Sequence, residues 1–336
     1  VNNPVGILGA GGWGTALAIT LNANGHQVTL WEFDKQAASR LKRRRENKTF
    51  LPGIAVPKEI EITHNLPDAV QQKTYILVTL PSHVVRDVCL PLRSLLSASS
   101  IVISGTKGIE NTTGKRISEI LIETLPILSA DRVVVLSGPS HAEELARMNP
   151  TVVVTACVNE ITSRRVQKLF MNPFFRLYTS TDVIGVEMGG ALKNVIAIAA
   201  GIVDGLELGD NLKAALINRG LVEITRLGHM LGADPLTFAG LSGMGDLIVT
   251  CTSRHSRNRF VGEQIGKGRS LQQILNSMVM VAEGVRTTRS AMELANAHHV
   301  DMPITSEVYK VLFNGKNPRQ AVTDLMTREA KAEDWG

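Results

Sequence analysis

Short apolar runs alternate with longer amphipathic ones through the first half of the chain. Residues 5–8, 27–31, 75–79, 101–104, 133–136 and 151–155 are rich in Val, Ile and Leu. Several are apolar throughout, which is the mark of strands covered on both faces by crossover helices; buried helix fragments would be longer and poorer in β-branched residues. Each is followed by a Gly or Pro turn and a longer helical stretch, so residues 1–185 predict a mostly parallel sheet with helices on both sides. Beyond about residue 180 the texture turns helical, over residues 187–202, 212–231, 271–277, 287–297, 306–313 and 318–335. Asp234-Pro235 is a good helix start, the Asp as cap and the Pro in the first turn. Residues 186–336 are therefore expected to form an all-α domain, with no Gly/Ser-rich linker before it.

Composition narrows the class without naming a function. With 44% apolar and 20% charged residues, 29 Gly and 13 Pro, the chain is neither collagen-like, low-complexity nor wholly disordered. Its net charge of +5 favours small anions in a local cleft but is too small to argue for a nucleic-acid surface. Cys89, Cys157 and Cys251 are widely spaced and form no CxxC pair, so reduced thiols of a cytoplasmic compartment are expected, and no metal site. No basic-then-apolar leader opens the sequence. The most apolar run, 195–203, is about half of what a bilayer needs, and no membrane span is expected.

Candidate chemistry begins at Gly9-Ala-Gly11-Gly12-Trp13-Gly14, a G-x-G-x-x-G directly after the first strand and at the head of a helix. In that context Gly9 makes the tight turn, Gly11 lets the backbone approach a pyrophosphate, and Gly14 allows close helix–strand packing. No Lys-Ser/Thr follows, which disfavours a mononucleotide phosphate loop. Glu32 and Asp34, 18 and 20 residues after Gly14, are acids of the kind that favour a free ribose 2′-hydroxyl, and hence NAD. The basic run Arg40-Leu-Lys42-Arg43-Arg44-Arg45 reads either as a solvated helix face or as a reach toward the 2′-phosphate of NADP, and the choice stays open.

Further along, Pro81-Ser82-His83 stands at the tip of the third strand, and Lys107 lies between glycines at the next tip, placed to face an anion. Ser140 and Glu143 spell the capping box S-x-x-E after Gly138, whose neighbouring amides remain open to a ligand oxygen. Lys193 and Asn194 are embedded in a small, apolar helix after Gly189-Gly190, where either is costly to bury unpaired. The glycines admit a ligand or another backbone. Burial would lower the lysine pKa toward neutrality, which suits proton exchange, and the competing reading is a structural ion pair. Asp246 is a lone acid in an apolar stretch with Thr250 one turn on, and Ser253–Arg259 is a donor cluster in which an Arg fork matches phosphate.

Taken together, Gly9–Leu17, Pro81–His83, Gly105–Gly108, Ser137–Pro139, Gly190–Ile196, Ala239–Leu247, Cys251-Thr252, Ser256–Phe260, Val281–Gly284 and Met302–Ile304 resemble the bacterial NAD(P)-dependent glycerol-3-phosphate dehydrogenases, in order over residues 5–320. The resemblance implies a Rossmann-type domain followed by an all-α domain like that of 6-phosphogluconate dehydrogenase. It implies a cytoplasmic homodimer interconverting sn-glycerol 3-phosphate and dihydroxyacetone phosphate with NAD or NADP, for phospholipid synthesis, with no nucleic-acid partner. In the family pattern Lys193 is the proton acceptor; Lys107, Gly138, Ser140, Asp246, Ser256, Arg257 and Asn258 surround substrate, with Thr250 assisting. Gly12, Trp13, Phe33, Lys107, Ala142, Arg257, Val281 and Glu283 match coenzyme positions. Gly12 stands where Ser is common, and Phe33 where a polar or basic residue is frequent. Two rivals are a hydroxy-acid or phosphosugar-acid dehydrogenase of the same layout, and a DNA-binding nucleotide sensor that would leave Lys193, Asp246 and Arg257 unexplained.

Overall fold

The computed structural model describes Asn2 to Ala330, with Ala332 and Glu333. Its chain divides into two units. One holds the residues up to Thr106 and Ile117–Val183; the other holds Lys107–Arg116 and the chain from Ile184 onward.

In the first unit the strands β1 (Pro4–Leu8), β2 (Gln27–Trp31), β3 (Glu61–Thr63), β4 (Tyr75–Val78), β5 (Ile101–Ser104), β6 (Val133–Ser137), β7 (Thr151–Ala156) and β8 (Phe175–Ser180) form one sheet in the order β3-β2-β1-β4-β5-β6-β7-β8. Every pairing is parallel except β6 with β7. The helices of this unit are α1 (Gly12–Ala23), α2 (Lys35–Arg44), α3 (Val85–Cys89), α4 (Ile117–Thr124), α5 (Ala142–Leu145) and α6 (Glu160–Phe170). Tyr75 and Leu77 of β4 enter one core with Leu17 and Leu21 of α1, while Ile76 and Val78 enter another with Ile120 and Leu121 of α4. Burial on both faces is why these strands read as unbroken apolar runs.

Two strands escape that signature. β3 has three residues, and β8 alternates, with Phe175 and Leu177 buried but Arg176 and Tyr178 exposed, as an edge strand does.

The second unit contains α7 (Val183–Gly205), α8 (Asp210–Met230), α9 (Pro235–Ala239), α10 (Asp246–Thr252), α11 (Arg257–Gly266), α12 (Leu271–Ser277), α13 (Glu283–Ala297), α14 (Pro303–Phe313) and α15 (Pro318–Met326). The last helix stops well short of the expected 335, and Trp335 lies outside the described residues. The Asp234 carboxylate caps α9, accepting from the Leu236 amide at 2.9 Å. α7 extends a few residues beyond the expected 187–202 at each end. At 23 residues, with a mean hydropathy of 1.5 over its most apolar 18, it is long and apolar enough to cross a bilayer, but 89% of that stretch is buried inside the protein. It is the central helix of this unit. Ile109, in the 107–116 loop, packs into the same core, which places that loop here rather than with the sheet that surrounds it in sequence.

Glycines set how closely the neighbours approach α7. A Cβ at Gly201 would sit 2.0 Å from the Arg259 carbonyl oxygen, and one at Gly262 only 1.9 Å from that of Ile198. α7 and α11 therefore cross with backbone against backbone.

Candidate active site

The glycine turn carries the geometry that its spacing predicts. Gly9 has φ +110°, in the left-handed region that only glycine adopts without strain. A Cβ on Gly14 would lie 2.0 Å from the Gly9 carbonyl oxygen and 2.5 Å from Thr79 Oγ1. Thr79 in turn donates to the Leu8 and Gly9 carbonyls at 3.1 and 3.0 Å. A Cβ on Gly11 would meet nothing within 4 Å, so open space lies before the turn at the one glycine meant to face a phosphate. Gly11 caps α1 with no side-chain hydrogen bond, and no acid stands in the first turn. The amides and positive dipole end of α1 are thus left for an anion. Trp13 keeps a buried indole N–H with no partner in the structure. These features fit a dinucleotide pyrophosphate.

Gly12 has a separate reason. A Cβ there would come within 2.7 Å of the Phe50 carbonyl oxygen, so replacing the more common Ser lets residues 47–50 close over the turn. Asn47, which sequence reading passed over, fastens this segment by donating from Nδ2 to the Ala10 carbonyl (2.7 Å) and to Thr15 Oγ1 (2.9 Å). Phe33 is 79% exposed, edge-on to Trp31. His83 is exposed beside the buried Ser82.

The expected capping box is not formed. α5 begins at Ala142 behind His141, without a side-chain cap, and Ser140 Oγ donates instead to the Gly138 carbonyl at 2.9 Å. Gly138 takes φ +137° where a Cβ would lie 2.9 Å from Val153 Cα, and this sharp bend turns Ser140 back on the loop.

In the helical unit, Lys193, Asp246, Thr250 and Lys107 converge. Lys193 is 5% exposed and Asp246 1%. Lys193 Nζ donates to Asp246 Oδ1 and, at 2.8 Å, to Thr250 Oγ1. The Thr250 hydroxyl spends its own proton on the Asp246 carbonyl (2.6 Å). Lys107 Nζ donates to the other carboxylate oxygen, Asp246 Oδ2, at 2.8 Å. One wide helical turn, Leu241–Gly245, delivers Asp246 to this place, with the Gly245 amide bonding the Gly240 carbonyl at 3.1 Å. It fits because Gly189 has no side chain: a Cβ there would sit 2.6 Å from the Ser242 carbonyl oxygen. At Gly189, then, the close approach is another backbone.

Burial drives the Lys193 amine down to about 7; Asp246 pulls against that shift and the Lys107 charge adds to it. Burial alone would lift Asp246, but the two ammonium groups hold its carboxyl below the ordinary value.

The predicted phosphate-binding cluster caps α11. Ser256 Oγ accepts from the Arg259 amide (3.2 Å), Arg257 is exposed, and Asn258 is buried. Arg259 is committed elsewhere, to Asp204 at 2.6 Å. Asn258 Oδ1 accepts from the Gly284 amide (2.9 Å) and its Nδ2 donates to Asn194 Oδ1 (2.8 Å), which fixes the amide's orientation and leaves one N–H unspent. Asn194 is thereby compensated. Its burial was visible in the sequence, but its positioning of Asn258 was not. Val281 is exposed just before α13, and Glu283 opens that helix. Among the described residues no three His, Cys, Asp or Glu side chains gather as a metal-ligand group.

A sheet that presents an uncapped helix start behind glycines accepts a dinucleotide, and a buried amine poised near neutrality suits alcohol–carbonyl interconversion. The chain is thus of the two-domain, dinucleotide-dependent dehydrogenase class. It belongs to the NAD-dependent glycerol-3-phosphate dehydrogenase family, matching that family's N-terminal part over residues 4–163 and its C-terminal part over 182–323. It is 53% identical over 332 residues to glycerol-3-phosphate dehydrogenase [NAD(P)+] of Thermoanaerobacter sp. (strain X514), covering 99% of each chain. It is 52% identical over 327 residues to the protein of that name from Lysinibacillus sphaericus (strain C3-41), covering 97% of each. The crystal structure of glycerol-3-phosphate dehydrogenase from Coxiella burnetii superposes with a TM-score of 0.93 at 36% identity, covering 97% of this chain and 99% of that one.

Proposed function

We propose that the protein interconverts sn-glycerol 3-phosphate and dihydroxyacetone phosphate by hydride transfer with NAD or NADP. The observation that carries this reading is the Lys193 ammonium, desolvated and held by Asp246 and Thr250 with one N–H to spare. The nicotinamide coenzyme, when bound, supplies or takes up the hydride. Lys193 donates its proton to the ketone oxygen in reduction and recovers it from the hydroxyl in oxidation, a role that requires a pKa near the working pH. Asp246 holds the amine in place and Lys107 balances the second carboxylate oxygen, so neither charge is buried alone. Arg257 and the free N–H of Asn258 are assigned to the substrate phosphate, which converts binding energy remote from the reacting carbon into alignment.

The resemblance supports a homodimer, and the unpaired, buried Cys89, Cys157 and Cys251 support a reducing, cytoplasmic setting. The test is a steady-state assay offering dihydroxyacetone phosphate and, separately, pyruvate-type keto acids with both reduced coenzymes. Dihydroxyacetone phosphate is expected to be preferred by orders of magnitude; preferred reduction of a keto acid would overturn the assignment.

A further inference from the structure

The sheet has a second opening, at the end away from the glycine turn. β1 leads from Asn3 to Gly9, and at its amino end a cavity of about 580 Å³ lies between Asn3, Tyr75 at the start of β4, and the last turns of α6 with Met171. Ligands of open α/β sheets gather outside the carboxyl ends of the strands, so coenzyme binding at the glycine turn makes no use of this cavity. Its frame is fixed by hydrogen bonds. The Asn3 amide donates to His26 Nδ1 (3.3 Å), so that nitrogen carries no proton and Nε2 donates to the Leu169 carbonyl (3.1 Å). Burial lowers the His26 pKa, in keeping with a neutral ring. Asn24 Nδ2 donates to the Leu169 and Phe170 carbonyls at 3.0 Å each, which occupies the last carbonyls of α6.

The charge left over is positive. Arg165 and Lys168, three residues apart on one face of α6, line the cavity, and no acid does. Neither cation has a hydrogen bond or ion pair among the described residues. The helix dipole accounts for Lys168, in the last turn, but not for Arg165 in mid-helix. Tyr75 is an independent sign. It is only 8% exposed and lines the same cavity, yet its hydroxyl has no hydrogen-bond partner among the described residues. Burial pushes the phenol upward against the pull of the Arg165 charge, so it stays a proton donor.

We propose that this cavity binds an organic phosphate monoester, at a site separate from those of coenzyme and substrate. Two cations balance a dianion, and the Arg165 fork, the Lys168 ammonium and the Tyr75 hydroxyl together suit the three free oxygens of a phosphate better than a carboxylate. The phosphate group fills only a small part of the volume, and Leu169 and Met171 supply an apolar wall for the organic remainder. The site does not depend on the reaction proposed above, since all its residues belong to the sheet unit.

The experiment follows the methyl resonance of Met171 in protein labelled at the methionine methyl carbons, assigned by its loss in Met171→Leu, as phenyl phosphate, inorganic phosphate or uncharged phenol is added. That methyl group belongs to a residue of the cavity wall, so the signal reports on this site rather than on phosphate bound elsewhere. Phenyl phosphate is expected to shift it saturably, inorganic phosphate to do so more weakly, and phenol not at all. Arg165→Ala/Lys168→Ala, which replaces two exposed side chains and should leave the thermal midpoint unchanged, is expected to weaken phenyl phosphate about ten- to a hundredfold. Tyr75→Phe removes one neutral hydrogen bond and should weaken it about two- to tenfold. Arg164→Ala, whose side chain is paired with Glu160 and does not line the cavity, should change nothing. Absence of a saturable shift, or unchanged affinity in the double variant, would overturn the site. Inorganic phosphate binding as tightly as phenyl phosphate, or phenol shifting the resonance equally, would overturn the assigned class of ligand.

Discussion

Lys193 has three N–H donors and spends two of them, on Asp246 and Thr250. The third is the one the proposed mechanism assigns to the reacting oxygen, and the amine's pKa of about 7 decides the direction in which pH acts. Reduction needs the ammonium, so its kcat/KM is expected to fall as pH rises through about 7; oxidation needs the neutral amine and should rise over the same interval. Paired pH–rate profiles check this, and two profiles moving in the same direction would contradict it. At the phosphate end, Arg257→Ala should impair dihydroxyacetone phosphate about ten- to a hundredfold more than dihydroxyacetone, because charge-assisted hydrogen bonds serve only the phosphorylated substrate. Equal losses would remove Arg257 from phosphate binding. Lys193 and Asp246 were legible as charges stranded in apolar stretches. The Asn194–Asn258 bond was not, since it joins positions 64 apart that only the packing of α7, α11 and α13 brings together.

Among the elements, backbone contact at glycine decides how the helices meet α7. Gly262→Ala would drive a methyl group to 1.9 Å from the Ile198 carbonyl oxygen and should destabilise the protein by about 1–3 kcal/mol, the usual range for overpacking. Thermal unfolding of the variant measures this, and an unchanged midpoint would mean that the helices part without cost. Such crossings leave little trace in sequence, because a glycine in a helix is also read as a mere weak point. The doubly buried strands were legible for the opposite reason, since burial on both faces writes itself into consecutive residues. β8, half exposed, and β3, three residues long, carry no such run. The missing capping box at Ser140 is a local rule overridden by the bend at Gly138.

For the whole molecule, the order of the segments predicts a sheet half and a helical half, but not that Lys107–Arg116 clusters with the helices. Ile109 explains it: its side chain is buried in the helical core, and Lys107 thereby belongs to the unit that holds Asp246. The three charges proposed for catalysis therefore lie within one unit, while the glycine turn belongs to the other. Proton transfer by Lys193 and binding at the glycine turn should then be separable by mutation. The most direct test is dihydroxyacetone phosphate turnover by Lys193→Ala, with NADH affinity and thermal midpoint measured on the same preparation. Asp246 keeps Lys107 as its partner in that variant, so a folded protein is expected, binding NADH as the wild type does but turning over at least about 10²-fold more slowly, as loss of a positioned acid or base requires. A folded Lys193→Ala protein with near-normal turnover would contradict the mechanism.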